Sequence, residues 1–330
     1  MHSKLPKFIK ANFNSPGIKI RGGITLILFI LALAFYTIYD NNRVIAIEQT
    51  IQIENLPKDF EGFTILQISD LHERVFGDKQ EKLLKVINSY DYDAIVFTGD
   101  ILDEPASTNY EPFYTLIEGI SNKKNALFVP GNRDPQSIIL DEGTTIEKGE
   151  FIKGMEERGV NLLNSVQKVE KGNSILYFTY FENSILKGQT NSRKGLINKL
   201  QKESSILDTL NESDILIAIN HYPIPDERID YLRNEREYNF RNYDLIIAGH
   251  YHGGQIRVPL IGALFVPEQY YLWGGLFPPR DRVKGLWDYQ GIKQYVSAGL
   301  GSSDAIPFIK FRFLNTPEIN VLTLQRENGK

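Results

Sequence analysis

Short apolar runs recur along the chain, each ending abruptly in polar residues and most followed by a stretch with helical spacing. The clearest runs cover residues 63–68, 94–97, 126–129, 215–219 and 245–248. They are nearly continuous rather than alternating, as expected of strands covered on both faces. Residues 79–88, with Leu83, Leu84, Val86 and Ile87, predict a helix, and so do residues 195–210. This alternation predicts an α/β sandwich. Residues 174–182 and 318–324 read as additional strands, so part of the sheet structure is expected to be antiparallel.

The N-terminal pattern is different. Residues 22–39 are uncharged and mostly apolar, and as a helix they would span roughly 27 Å at ~1.5 Å per residue. That is close to a hydrocarbon thickness of ~30 Å. Lys4, Lys7, Lys10, Lys19 and Arg21 precede the run, whereas only Asp40 and Arg43 follow closely. Tyr36 and Tyr39 stand where interfacial aromatics are expected. The positive-inside rule then predicts a single-pass protein of the cell membrane, with its N-terminus cytoplasmic and residues 43–330 outside. A cleaved signal peptide and a buried core helix are the alternatives. Ala32-Leu33-Ala34 resembles a cleavage site, but it lies inside the apolar run. The expected organisation is a basic tail over 1–21, an anchor over 22–39, a linker and first strand over 40–60, and one domain over 61–330.

Composition narrows the chemistry. Cysteine is absent, which excludes disulfides, thiolate-bound zinc and thiol catalysis. The net charge is −4, but residues 1–39 carry five basic and no acidic residues, leaving −9 on the remainder. An acidic body is a poor partner for a phosphodiester backbone, so no nucleic-acid partner is expected.

The polar residues that end the strands carry the candidate chemistry, because ligands of open α/β sheets bind beyond the carboxyl ends of strands. Those ends read Ser69-Asp70-Leu71-His72, Thr98-Gly99-Asp100-Ile101-Leu102-Asp103, Pro130-Gly131-Asn132-Arg133-Asp134, Asn220-His221-Tyr222-Pro223 and Gly249-His250-Tyr251-His252. Of the five histidines, all but His2 fall in these motifs. Alone, each motif is ordinary: Gly-Asp and Gly-Asn are common turn pairs, and a histidine after a strand is usually a satisfied core residue. Together, Asp70, His72, Asp100, Asn132, His221, His250 and His252 form a nitrogen and oxygen ligand set without sulfur, which suits Mn, Fe or Zn better than Mg or Ca. The set is large enough for two divalent metal ions sharing one carboxylate, an arrangement that clamps a phosphoryl group and generates hydroxide at neutral pH.

These motifs, in this order, resemble the calcineurin-like metallophosphoesterase superfamily. The later stretches His252-Gly253-Gly254-Gln255-Ile256, Ile261-Gly262-Ala263, Tyr295-Val296-Ser297-Ala298-Gly299-Leu300-Gly301 and Arg312-Phe313-Leu314-Asn315 are similar to its bacterial YkuE/YaeI-like branch, many of whose members carry an N-terminal membrane or export segment. The resemblance implies a four-layer α/β/β/α sandwich of mixed sheets with flanking helices, here preceded by one transmembrane helix. It implies that Asp70, His72 and His252 hold one metal, that Asn132, His221 and His250 hold a second, and that Asp100 bridges them. Asp103 and Asp134 would stand behind the ligands. A metal-activated hydroxide would attack phosphorus in a phosphodiester, or in a phosphate associated with lipid or envelope.

One position departs from the pattern, since Arg133 occupies the place of a histidine that usually assists the leaving group. Arginine keeps its proton at neutral pH, with a pKa above about 12. It can grip a phosphate oxygen but cannot protonate a leaving group. Either the leaving group needs no proton, or activity on simple monoesters is poor; an exposed turn residue without a role is the bland reading. The Gly-Asn-Arg-Asp form also resembles UDP-2,3-diacylglucosamine pyrophosphatases, whose substrate conflicts with the expected topology, and a non-catalytic metal-binding scaffold is a further alternative. The expected partners are a phosphorylated small molecule or lipid head group, and the membrane through the N-terminal helix. Residues 264–290, rich in aromatics with Arg280, Arg282 and Lys284, read either as a flap gripping bilayer or head group, or as a cap on the domain's own core.

Overall fold

The computed structural model describes residues 16–140, 146–187, 203–211, 214–303 and 309–327. Helix α1 (Pro16–Asn41) contains the N-terminal apolar run, and residues Ile20–Asn41 are long and apolar enough to cross a membrane, with mean hydropathy 2.1 over a window of which nothing is buried. The stretch over 40–60 continues the end of this helix and holds strand β1 (Ile45–Ile53). The remaining strands are β2 (Thr64–Ile68), β3 (Ala94–Phe97), β4 (Ala126–Phe128), β5 (Ile138–Leu140), β6 (Ile146–Lys148), β7 (Asn161–Leu162), β8 (Val166–Lys171), β9 (Ser174–Tyr180), β10 (Ile215–Ile219), β11 (Leu245–Ala248), β12 (Arg257–Val258), β13 (Gly262–Ala263), β14 (Gly285–Tyr289), β15 (Ile292–Val296) and β16 (Glu318–Arg326). Helices α2 (Glu81–Ile87), α3 (Glu111–Gly119), α4 (Glu150–Glu157), α5 (Phe181–Ser184) and α6 (Asp226–Asn234) lie between them. The strand expected over 174–182 stops at Tyr180, where Phe181 turns inward with its ring 5.3 Å from that of Tyr243. Of the helix expected over 195–210, residues 195–202 lie outside the described residues, and Ser205–Thr209 is a 3-10 turn.

Two six-stranded sheets dominate, in the orders β1-β16-β2-β3-β4-β7 and β14-β15-β11-β10-β9-β8. Both are mixed: β2, β3 and β4 run parallel, as do β9, β10, β11 and β15, whereas β16 pairs antiparallel with β2, and β14 with β15. Successive side chains of a strand point to opposite faces, and each sheet uses both. Ile65, Val96, Leu127 and Leu322 of the first sheet share one apolar cluster with Phe178, Ile217 and Ile247 of the second. The alternate positions Leu66, Ile95 and Phe128 pack instead with Leu83, Phe113 and Met155 from α2, α3 and α4. On the second sheet, Leu216 and Ile246 pack with Ile229 and Leu232 from α6. Burial on both faces explains the unbroken apolar runs.

Residues 264–290 do two things. Tyr271 and Trp287 are buried with Tyr251 and Val283, as a cap would be, while Leu272, Trp273 and Phe277 stay exposed. Arg282 pairs with Asp226 at 3.0 Å and Lys284 with Glu318 at 2.6 Å, so these two cations are engaged within the fold.

Phe97, fully buried on β3 with its ring edge-on to Phe113 at 5.3 Å, tests the packing. Phe97→Ala should cost about 3–5 kcal/mol through lost burial and the cavity it leaves. Denaturant unfolding followed by tryptophan fluorescence, with Trp287 as the buried reporter, measures that loss.

Candidate metal centre

The carboxyl ends of β2, β3 and β4 meet those of β10 and β11 at one edge of the two sheets, and each delivers candidate ligands there. The turns that follow are tied together by their backbones: Asp70 N–H donates to Gly99 O at 3.0 Å, His72 N–H to Asp100 O at 3.1 Å, and Gly249 N–H to His221 O at 3.0 Å. Asp70, His72, Asp100, His250 and His252 all have φ between 49° and 69°. L-residues avoid this left-handed region, and such positions persist at functional sites where the surroundings over-determine them. Gly131 and Gly249 let the loops close, since a Cβ at either would collide with the carboxylate of Asp100 or Asp70.

The side chains converge in two groups that share a member. Asp70, His72, Asp100 and His252 place ligand atoms within 4.8 Å of one another, and Asp100, His221 and His250 do the same. Asp100 Oδ2 lies 3.7 Å from His72 Nε2, and its Oδ1 lies 3.4 Å from His221 Nε2. His252 Nε2 is 3.7 Å from Asp70 Oδ1 and 3.3 Å from His72 Nε2. His221 Nε2 is 3.0 Å from His250 Nδ1 and 3.2 Å from Asn132 Oδ1. Asp103 and Asp134 stand behind these atoms. Asp103 Oδ1 is 3.5 Å from His72 Nδ1, and Asp134 accepts backbone N–H bonds from Gly131 and Ile101, both at 2.8 Å. Arg133 donates its backbone N–H to Asp100 Oδ1 at 2.8 Å, and its side chain lines the cavity at the site.

This donor set fits divalent cations. Two imidazole nitrogens facing each other at 3.0–3.3 Å can satisfy one another only if one carries a proton, whereas a cation satisfies both. His221 Nδ1 faces the Thr98 carbonyl at 2.8 Å, so in the neutral ring it donates there and leaves Nε2 as a lone pair for metal. The charge pattern points the same way. Burial and the neighbouring His221 cation drive His250 down to about 3. Burial and His72 hold His252 well below the ordinary imidazole range. Burial opposes charge on His221, yet Asp100 beside it raises its pKa to about 9. Burial also opposes charge on Asp100, but His221 and His72 hold its carboxyl below the usual range. Asp134 is raised to about 6, first by burial and then by repulsion from Asp100.

Residues 63–254 match the Calcineurin-like phosphoesterase family, which takes in every candidate ligand. The chain belongs to that family. It is accordingly a phosphoester hydrolase with a divalent-metal site. The phosphoesterase is 25% identical over 285 residues to a metallophosphoesterase of Bacillus subtilis (strain 168), YkuE, across 85% of each chain. Among solved structures, it is similar to a phosphopantetheinyl hydrolase from Mycobacterium tuberculosis (12% identity, TM-score 0.38, 73% of this chain and 91% of that one). It is also similar to a phosphoesterase-like protein from Streptococcus pneumoniae TIGR4 (14% identity, TM-score 0.24, 75% and 78%). Both structural likenesses are too loose to bear on substrate.

Several residues around the phosphoesterase site carried no role in the sequence reading. Ser69 Oγ donates to Asp70 Oδ2 at 2.5 Å, and Lys310 Nζ pairs with Asp103 Oδ2 at 2.6 Å. The Tyr222 ring lies 5.0 Å from that of His221 and 4.5 Å from that of His250. Arg312, fully buried, donates to the carbonyls of His252, Ala298, Gly301 and Asn315, while Asn315 Nδ2 holds the same His252 carbonyl at 2.7 Å. The stretch Arg312-Phe313-Leu314-Asn315 was visible as a motif, but its partners are distant in sequence.

The pH dependence of metal binding follows from His221. Below about 9 its ring carries a proton that a cation at Nε2 must displace, while His250 and His252 are already neutral at pH 7. Apparent affinity for the ion held by His221 should rise about tenfold per pH unit between 7 and 9, then level off. Calorimetric titration of Mn²⁺ in buffers of different ionisation enthalpy should find about one proton released per protein molecule at pH 7.5, on filling the site at His221.

Proposed function

We propose that this phosphoesterase binds two divalent ions and hydrolyses phosphodiesters outside the cytoplasmic membrane. The observation that carries the reading is Asp100, whose two carboxylate oxygens face the two ligand groups separately, one toward His72 and the other toward His221. Asp70, His72 and His252 would hold one ion, and Asn132, His221 and His250 the other, with Asp100 serving both. The N and O donors suit Mn, Fe or Zn. When bound, such ions supply an activated hydroxide and neutralise phosphate charge.

The remaining roles belong to the chain itself. Asp103 orients the His72 ring through Nδ1, and Asp134 fixes the turns carrying Asp100 and Asn132 by gathering their backbone N–H groups. Arg133 lines the cavity and offers a guanidinium to a phosphate oxygen. It cannot give a proton, which favours diesters whose leaving group departs as an anion. Three apolar clusters support a four-layered reading of the fold, with helices outside each sheet and a shared core between the sheets. The helix through Asn41, whose apolar run over 22–39 follows five basic residues, supports a retained anchor over 22–39 with the domain over 61–330 on the outer face.

Asp100→Ala should lose both ions by elemental analysis, and kcat/KM on bis-p-nitrophenyl phosphate with Mn²⁺ should fall roughly 10³-fold or more. Retained turnover would support neither the shared carboxylate nor the mechanism. Arg133→His should raise kcat/KM on glycerol 3-phosphate, an alkyl monoester whose leaving group needs a proton, by about 10²-fold or more, the range of one positioned proton donor. A monoester rate no higher than that of the unmodified protein would count against the role given to Arg133.

A further inference from the structure

The cavity at the metal ligands, about 280 Å³, is lined by both polar and apolar residues. Asp100, Asn132, Arg133, His250 and His252 line it together with Gln255 and Ser303, and Ile256, Leu264, Phe265, Pro267 and Ile309 supply an apolar wall. A phosphate has no use for an apolar wall, so the wall meets some other part of the substrate.

A second cavity, about 620 Å³, runs along α1 between Ile30, Leu33, Ala34 and Thr37 and the side chains of Phe311 and Phe313. Those helix positions lie inside the apolar span Ile20–Asn41. One short segment joins the two cavities: Ile309 lines the first, and Phe311 and Phe313 line the second. Its position is fixed. Asn41, at the end of α1, donates through Nδ2 to Arg312 O at 2.7 Å and accepts Arg312 N–H at Oδ1 at 2.8 Å, while Arg312 reaches the carbonyl of the ligand His252. On the other side Gln255 Nε2 donates to Ile309 O at 2.5 Å, and Phe313 bridges to Ile256. The wall then continues outward. The turn between β12 and β13 leaves Leu260 90% exposed, and Phe277, whose N–H donates to Leu264 O at 2.9 Å, is 57% exposed. Apolar side chains therefore line both the cavity at the ligands and the groove beside the bilayer-length helix, where Arg74 and Lys310 also stand.

Resting on the anchored-hydrolase reading above, we propose that the substrate is a membrane-resident amphiphile, a phosphoester of a long-chain alcohol or diacylglycerol. Its phosphate meets the metal ligands, and its hydrocarbon chain lies against Leu264, Phe265 and Ile309 and leaves along the groove beside α1. Hydrolysis breaks the bond between phosphorus and an ester oxygen, water supplies the hydroxyl taken by phosphorus, and the released alkoxide takes up the proton.

The test uses the full chain in phosphatidylcholine vesicles with Mn²⁺. It compares dioleoyl phosphatidylglycerol with glycerophosphoglycerol, and dioleoyl phosphatidic acid with glycerol 3-phosphate. The acylated member of at least one pair should show a kcat/KM at least tenfold higher. Leu264→Asn with Ile309→Asn should reduce that ratio tenfold or more. A phosphatidic acid with a photoreactive acyl chain should crosslink to peptides containing residues 256–265 or 309–313, independently of turnover. Ratios near one, or crosslinks confined to other peptides, would overturn the proposal while leaving the phosphoesterase intact. Crosslinking at the wall without hydrolysis of any compound would support the amphiphile and sink the hydrolase reading instead.

Discussion

Asp70 and Asp100 are almost inaccessible to solvent, and they sit among four imidazoles at the junction of two sheets. Buried carboxylates are stable only where positive charge or hydrogen bonds replace the lost water. Ser69 Oγ and the His250 N–H serve Asp70, and the Arg133 N–H serves Asp100, but the imidazole nitrogens around them face one another at 3.0–3.3 Å and compete for one proton in each pair. A divalent cation resolves that competition, because neutral imidazole and ionised carboxylate are both ligands. The rest of the molecule is arranged to keep these groups close enough to need one.

Keeping them close is costly. Five ligand residues have left-handed backbone, a conformation worth roughly 1–2 kcal/mol per residue against an L-amino acid. Parallel strands hold the turns from one side, Gly131 and Gly249 permit backbone to approach carboxylate, and Arg312 and Asn315 fix the carbonyl of His252 from behind. Gln67 joins the two sheets at the same level, donating to Thr98 Oγ1 and to the Ala248 carbonyl at 2.7 Å. Asn320 does likewise by donating to the Tyr295 hydroxyl at 2.9 Å. Buried polar bridges of this kind specify how one sheet sits on the other, and so where five strand ends meet.

The N-terminal helix is joined to the same frame. Its last residues, Asp40 and Asn41, are buried against Thr316, Arg74 and Arg312, and β1 leaves directly to pair with β16 over nine residues. The strand expected within residues 40–60 is β1. The apolar segment is short of tether, and Asn41 and His252 share Arg312 as a common partner. This shared partner fixes the orientation of the site relative to the helix.

The strands β3, β10 and β11 were legible to the residue because each is an apolar run bounded by turn chemistry, and such a run has few other stable fates. The seven candidate ligands were legible because uncommon residue types recur at strand ends. The sequence by itself determined which nitrogen and oxygen donors end the strands and that Arg133 follows Asn132 in the third motif. It could not determine that Asp100 faces both groups, that His250 points Nδ1 at His221, or that Arg312 links helix to ligand. Those contacts join residues from 28 to 271 positions apart (100 − 72 = 28 for Asp100 and His72), and periodicity carries no information at that range. They exist only once two sheets have packed and their edges have been brought into register.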